Sequence, residues 1–98
     1  MKISSQRYID DDIVEQKIAA EDYVVTIATV EHDGQVYEVV VDGHHSLEAA
    51  RRTGNSPIWV DADYNHQTEI DCIGFDNWLN QHQNDSDWYD IETGHNVW

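Results

Sequence analysis

The strongest indication of the fold comes from residues 36–60, which read VYEVVVDGHHSLEAARRTGNSPIWV. The β-branched start of this stretch predicts a strand over Val36–Val41. Asp42-Gly43 ends this strand, because glycine allows a sharp turn of the backbone and a close approach to a ligand. Helix-forming residues followed by a glycine predict a helix over Ser46–Thr53. A proline then introduces a short apolar strand at Ile58–Val60.

The residues before this stretch predict a partner strand. Tyr23–Val30 is rich in β-branched residues, and Asp33-Gly34 is a strong hairpin signal because glycine tolerates a positive φ. The acids Asp10–Asp12 precede apolar residues spaced four to five apart, which favours a short helix, with an extended segment as the alternative. Met1–Arg7 is expected to be a frayed lead-in.

The residues after this stretch carry weaker signals. Asp61–Gln67 is polar and is expected to be a loop. Ile70–Ile73 is either a short strand or a lead-in to the next helix. Asp76 is a candidate cap for that helix, over Asn77–Gln81, which has an apolar face. Taken together, the chain is predicted to be α+β, with a small mixed β-sheet and two or three helices.

Composition indicates one folded domain. The chain has 98 residues, of which 40% are hydrophobic, which is enough for one modest core. The single Cys72 excludes an intramolecular disulfide and is expected to be a reduced core thiol. No apolar run approaches the length of a membrane span, and no signal pattern begins the chain. We therefore expect a cytoplasmic protein.

The charge is strongly acidic. Asp and Glu number 20 against 5 Lys and Arg, which gives a formal net charge of −15. From Thr53 to Trp98 the sequence has nine acids and no Lys or Arg. This composition opposes direct binding to nucleic acid or to an anionic membrane, because both need basic residues. The acidity serves either solubility or attraction to a basic partner.

The stretch from 36 to 60 resembles the ParB/sulfiredoxin-like superfamily. Members share a strand that ends in Asp-Gly-His or Gly-Glu-Arg, a helix rich in Ala and Arg, then Gly, Pro and a short apolar strand. Small ParB-like proteins of phages and mobile elements are similar in length and in this Asp-Gly-His-His-Ser sequence. The resemblance extends from the hairpin to Val60 and implies a single ParB/sulfiredoxin-like domain over residues 1–98. The aromatic and acidic C-terminal segment, at about 84–98, lies outside the resemblance.

The resemblance also implies a site in the Asp-Gly-His-His loop. Gly43, His45 and Ser46 occupy the positions of a nucleotide-binding loop, and Asp42, His44 and His45 are the candidate catalytic residues. His44 stands where sulfiredoxins carry their reactive cysteine, and Ser46 stands where they carry the arginine that holds phosphate. Serine cannot replace a bidentate cation. Sulfiredoxin chemistry is therefore not expected, and no cofactor is required, but Mg²⁺ with a nucleotide remains the alternative.

The histidines outside this loop predict no metal site. Their spacing matches no zinc pattern, and each is interpreted as a surface residue. Within the loop, a histidine near a helix N-terminus tends to be neutral and can accept a proton. Asp42 can orient His44 or serve only as a turn residue. Arg51 and Arg52 are expected to form ion pairs with nearby carboxylates, and Glu48 is expected to be a solvated helix residue.

The C-terminal segment combines aromatic and acidic residues, a mixture that suits a basic partner protein. The candidate partner-binding residues are Asp85, Asp87, Trp88, Tyr89, Asp90, Glu92 and Trp98. The leading hypothesis is an acidic interaction protein, a DNA mimic of the kind that phages use against restriction or CRISPR systems. It would bind the basic nucleic-acid-binding surface of a host protein. The alternatives are a nucleotide-binding or nucleotide-hydrolysing enzyme that uses the Asp-Gly-His-His loop, and a domain with no retained chemistry.

Overall fold

The computed structural model describes residues 1–98 in full. Five strands and four helices follow each other along the chain, one helix more than the larger number that the sequence predicts. In order they are β1 (Lys2–Ser4), α1 (Asp11–Ala19), β2 (Val24–His32), β3 (Gln35–Asp42), α2 (His44–Thr53), β4 (Ile58–Asp61), α3 (His66–Ile73), α4 (Phe75–His82) and β5 (Tyr89–Asp90). None of the helices is both long and apolar enough to cross a membrane.

The strands form one mixed sheet in the order β4-β2-β3-β1-β5. The β2–β3 hairpin is antiparallel and its turn is Asp33-Gly34, where both residues have a positive φ. β4 runs parallel to β2, β1 runs parallel to β3, and β5 runs antiparallel to β1. This arrangement confirms the predicted α+β class with a small mixed sheet.

The core lies on both faces of the sheet. On one face, α3 and α4 bury Trp78 and Phe75 against Val30 and Val39. On the other face, Val25, Ile27 and Val40 form a smaller cluster, against which Leu47 of α2 packs. Helix α1 packs on α2 and buries Val14. Residues of the two clusters alternate along a strand, because successive side chains of a strand point to opposite faces of the sheet.

The N-terminal segment is not a frayed lead-in, so that prediction is wrong. Lys2–Ser4 forms β1, which lies between β3 and β5, and Ile3 is fully buried in the larger core cluster. Only long-range pairing reveals this strand, because three residues are too few for a periodic pattern. The predicted helix after it is confirmed as α1, and the Asp10 carboxylate caps it by accepting from the backbone N–H of Asp12 and Ile13.

Three predictions in the second half of the chain are also wrong. Ile70–Ile73 is part of α3 rather than a strand or lead-in, and α3 begins at His66, inside the predicted loop. The following helix begins at Phe75, with Gly74 as its N-cap, so Asp76 lies inside its first turn. Cys72 is exposed on α3 rather than buried in the core. Helix α3 is short and polar and lacks a clear apolar period. For this reason its sequence did not predict a helix.

Candidate functional site at the junction of β3 and α2

Gly43 makes the turn from β3 into α2. It has φ +90° and is the N-cap residue of α2, which begins at His44 rather than near Ser46. A Cβ at Gly43 would lie 2.5 Å from the carbonyl oxygen of Val24 and 2.9 Å from the Cα of Val25. The close approach that glycine permits is therefore an approach to β2 of the same chain. The Asp42 carboxylate accepts a hydrogen bond from the Gly43 N–H at 2.8 Å, as in a turn.

His44 is the residue of the loop whose environment is most unusual. It is half-buried, and both of its ring nitrogens are buried without a hydrogen-bond partner. Burial lowers the pKa of His44, and the neighbouring His45 lowers it further. The imidazole is therefore neutral at pH 7, the form that can accept a proton or bind a ligand. The Asp42 carboxylate is engaged with the Gly43 N–H, and no hydrogen bond joins it to His44.

His45 has a structural contact. Its Nε2 accepts a hydrogen bond from the Asp10 N–H at 3.2 Å, which ties the start of α1 to the start of α2. The centroids of the His44 and His45 rings are 6.0 Å apart and the ring planes meet at 74°. The Nε2 of His45 is thus occupied by a backbone contact, whereas neither ring nitrogen of His44 has a hydrogen-bond partner.

Ser46 is buried at the start of α2. It is 1% exposed and lies inside the first turn of α2. Of the three predicted nucleotide-binding residues, Gly43 packs on β2, His45 bonds to Asp10, and Ser46 is buried.

A cleft of about 330 Å³ lies beside His44. The guanidinium of Arg7 borders it, lies over the Tyr89 ring at 3.9 Å and donates a hydrogen bond to the Gly94 carbonyl oxygen at 2.7 Å. Arg51 borders the same cleft. Two of the five cations of the chain thus meet beside the loop, and one of them comes from a segment that the sequence did not connect with it.

The ion pairs predicted for Arg51 and Arg52 are confirmed. Both side chains contact the carboxylate of Glu48, and Arg52 also contacts Asp11 at 2.8 Å. The Glu48 side chain is only 11% exposed, so it is a largely buried bridging acid and not the solvated residue that was expected. Arg7 is the one Lys or Arg that forms no ion pair, since Lys2 contacts Glu38 and Lys17 contacts Asp22.

The predicted partner-binding residues of the C-terminal segment fall into two groups. Trp88 and Tyr89 are 7% and 8% exposed, and Tyr89 pairs with β1, so these rings belong to the core and are not available to a partner. Asp85 accepts hydrogen bonds from the N–H groups of Arg7 and Tyr8, and Asp90 accepts from the N–H of Glu92. The exposed members with no such structural role are Asp87, Glu92 and Trp98.

A different acidic surface lies at the turn of the β2–β3 hairpin. The side-chain amide of Gln67 connects its parts, because it accepts from the Glu31 N–H at 2.8 Å and donates to Asp71 at 3.3 Å. His32 stacks on Phe75, with ring centroids 4.4 Å apart, which places Asp76 beside the hairpin. We call this surface the acidic hairpin end and define it by four exposed carboxylates, those of Glu31, Asp33, Asp71 and Asp76.

The acidic hairpin end is formed by elements without Lys or Arg, namely β2, β3, α3 and α4, and the Nε2 of His32 lies 3.3 Å from the Asp33 carboxylate. Trp98 lies at its side, with ring centroids 5.8 Å from Tyr37 and 6.1 Å from Phe75, and is 61% exposed. The sequence did not reveal this surface because its members lie far apart in the chain and meet only in the fold.

Comparisons with known proteins leave the family open. Neither a family model, nor a curated protein, nor a solved structure matches the chain. The chain is a small α+β domain. Its two main surface features are the acidic hairpin end and the cleft bordered by Arg7 and Arg51.

Proposed function

We propose that this protein is an acidic interaction protein that binds the basic, nucleic-acid-binding surface of a partner protein. The observation that carries the proposal is the acidic hairpin end, where four exposed carboxylates lie on elements without any Lys or Arg. Such a surface presents negative charge as nucleic-acid phosphates do. Small phage inhibitors of restriction or CRISPR systems use this strategy, which is DNA mimicry.

The distribution of the cations supports this proposal. Four of the five Lys and Arg residues are already in ion pairs, and three of these four lie on α1 and α2. None of these four cations forms an ion pair with a carboxylate of the acidic hairpin end, so the field of that surface can steer a positively charged partner toward it. Trp98 supplies an exposed aromatic ring beside the acids, and tryptophan is a residue type that often dominates binding energy at interfaces.

A competition experiment tests the proposal. Labelled duplex DNA is bound to a restriction endonuclease or to an RNA-guided nuclease, and its displacement by this protein is measured over a range of salt concentrations. We expect displacement that weakens steeply as salt rises, because the contacts are between exposed charges. The experiment is repeated with several restriction endonucleases and RNA-guided nucleases. If the protein displaces DNA from none of them, DNA mimicry is contradicted.

Two variants with equal loss of charge locate the surface. The first neutralises the acidic hairpin end with the substitutions Glu31→Gln, Asp33→Asn, Asp71→Asn and Asp76→Asn. The matched control neutralises four exposed carboxylates elsewhere, with Asp12→Asn, Glu15→Gln, Glu21→Gln and Asp63→Asn. We expect the first variant to bind at least about tenfold more weakly and the control to change by less than about threefold. The reverse result would place the binding surface outside the acidic hairpin end.

The cleft beside His44 supports a second candidate function, the binding of a nucleotide with Mg²⁺. The specific observation is that Arg7, which forms no ion pair, borders the cleft together with Glu48 and Glu92. With Mg²⁺ to offset the acids, Arg7 could meet a phosphate in place of the arginine missing at Ser46. Titration of the ¹⁵N-labelled protein with ATP and Mg²⁺ tests it. Saturable shifts of the amides of residues 43–47 that disappear in Arg7→Gln would support this function, and unchanged amides at millimolar nucleotide would contradict it.

A further inference from the structure

Two histidines and a glutamate meet between α3 and α4, away from the cleft beside His44. His66 and Glu69 are three residues apart on α3, so they lie on the same face of that helix. His82 is at the last position of α4 and lies next to them because the chain reverses at Gly74 between the two helices. One potential ligand atom from each of the three side chains lies within 4.8 Å of the others.

The surroundings of this cluster hold it in place. The ring of the fully buried Trp78 has its centroid 5.5 Å from that of His66 and 4.6 Å from that of His82. The Nε2 of His82 is 3.8 Å from the Glu69 carboxylate, which is longer than a hydrogen bond. The cluster is therefore close-packed, yet its polar atoms do not bond to each other.

Two nitrogen atoms of the cluster have no hydrogen-bond partner. The Nδ1 of His66 and the Nε2 of His82 are buried from solvent and form no hydrogen bond. Buried polar atoms normally have a partner, so their presence in a cluster needs an explanation. Imidazole nitrogens are common ligands for a metal ion, which would supply the missing partner.

The geometry points to a divalent metal site, formed by His66, Glu69 and His82, that binds Zn²⁺. Two imidazole nitrogens and one carboxylate oxygen are a ligand set that zinc accepts, with bonds of about 2.0–2.2 Å. Ligand atoms in a tetrahedral zinc site are then about 3.3–3.6 Å apart, so a closure of about 1 Å brings the three atoms to bonding distance. Three protein ligands would leave one position of a tetrahedral Zn²⁺ ion to another ligand, and the site would join α3 to α4. It does not depend on the partner-binding surface proposed above.

Metal binding is measured on the full chain after removal of metal with a chelator. Calorimetric titration with ZnCl₂ is expected to give one ion per chain, and Co²⁺ is expected to give the visible absorption of a tetrahedral site. Glu69→Gln keeps the size of the side chain and removes its charge, and His82→Asn removes a nitrogen ligand. Each substitution is expected to weaken zinc binding at least about tenfold, and to abolish the rise in melting temperature that zinc produces in the unaltered protein.

Two controls make the outcome decisive. His95→Asn removes an exposed histidine outside the cluster and should leave zinc binding unchanged. Cys72→Ser removes the exposed thiol on α3, which is the other strong zinc ligand nearby, and should also leave it unchanged. Loss of binding in Cys72→Ser, equal loss in His95→Asn, or absence of a one-to-one complex in the unaltered protein would overturn the proposal. Retention of binding by both Glu69→Gln and His82→Asn would overturn it as well.

Discussion

The carbonyl oxygen of Val24 lies 2.5 Å from the position that a Cβ would occupy at Gly43. This close approach joins the first residue of β2 to the turn that begins α2. Any side chain larger than hydrogen would push the helix away from the sheet, and the φ of +90° is unfavourable for such a residue in any case. The Asp-Gly-His-His loop is therefore held in place by backbone packing, independently of any ligand.

Replacing Gly43 with alanine should destabilise the protein strongly. We expect Gly43→Ala to lower the free energy of unfolding by about 2–4 kcal/mol, because strain from the positive φ adds to the overlap with β2. Urea denaturation measures the change. Gly54→Ala is the matched control, since Gly54 has φ +72° but nothing within 4 Å of its missing Cβ. That control should cost only about 1 kcal/mol, and an equal loss in both variants would contradict the packing argument.

Truncation of Ile3 should show that the N-terminal strand is part of the core. Ile3 is fully buried on β1, so Ile3→Ala is expected to cost about 2–5 kcal/mol through lost burial and a cavity. Tyr8→Ala, which truncates a side chain that is 65% exposed in the same segment, should change the free energy of unfolding by less than about 0.5 kcal/mol. Both are measured by urea denaturation. A small effect at Ile3 would mean that β1 is detached in solution.

Replacement of His45 should report on its contact with α1. His45→Ala leaves the Asp10 N–H without its acceptor, and we expect a loss of about 1 kcal/mol in the free energy of unfolding. Amide hydrogen exchange at Asp10 should also become faster. The same substitution at the exposed His95 should have neither effect. Unchanged exchange at Asp10 in His45→Ala would exclude the structural role and return His45 to the candidate site residues.

Stability should fall on mild acidification because of His44. Its pKa is lower in the folded protein than the ordinary value of 6.5, so the unfolded chain binds the proton more tightly. The contribution of this neutral histidine is therefore complete above pH 6.5 and is lost as the pH falls from 6.5 through the lowered folded pKa. Burial and the charges of His45 and Arg51 lower the pKa, while Asp85 and Glu48 oppose the shift.

The measurement is the free energy of unfolding between about pH 7.5 and about pH 5.5, a range that brackets the ordinary histidine pKa. His44→Gln should show a shallower fall over this range than the unaltered protein, whatever its stability at the upper end. His95→Gln should keep the full slope, since it removes an exposed histidine. Identical slopes in all three proteins would mean that His44 does not govern this pH dependence.

Local signals in the sequence were sufficient for several parts of the fold. Asp33-Gly34 specifies a hairpin turn because both residues must adopt a positive φ, and Gly43 marks the turn into α2. Asp10 marks the start of α1 because a carboxylate there can bond the free N–H groups of the first turn. These interactions span a few residues, so neighbouring letters of the sequence are enough to read them.

The remaining features depend on partners that are distant in the chain, and only folding brings them together. β1 exists because Ile3 is buried beside Val39, and neither residue reveals the other in the sequence. The cleft contains Arg7 only because the segment after β1 passes beside the start of α2. His66 and His82 match no metal-binding spacing until the turn at Gly74 brings their helices together. The charge of the chain can be counted from its letters, but long-range packing is what collects four carboxylates at one end.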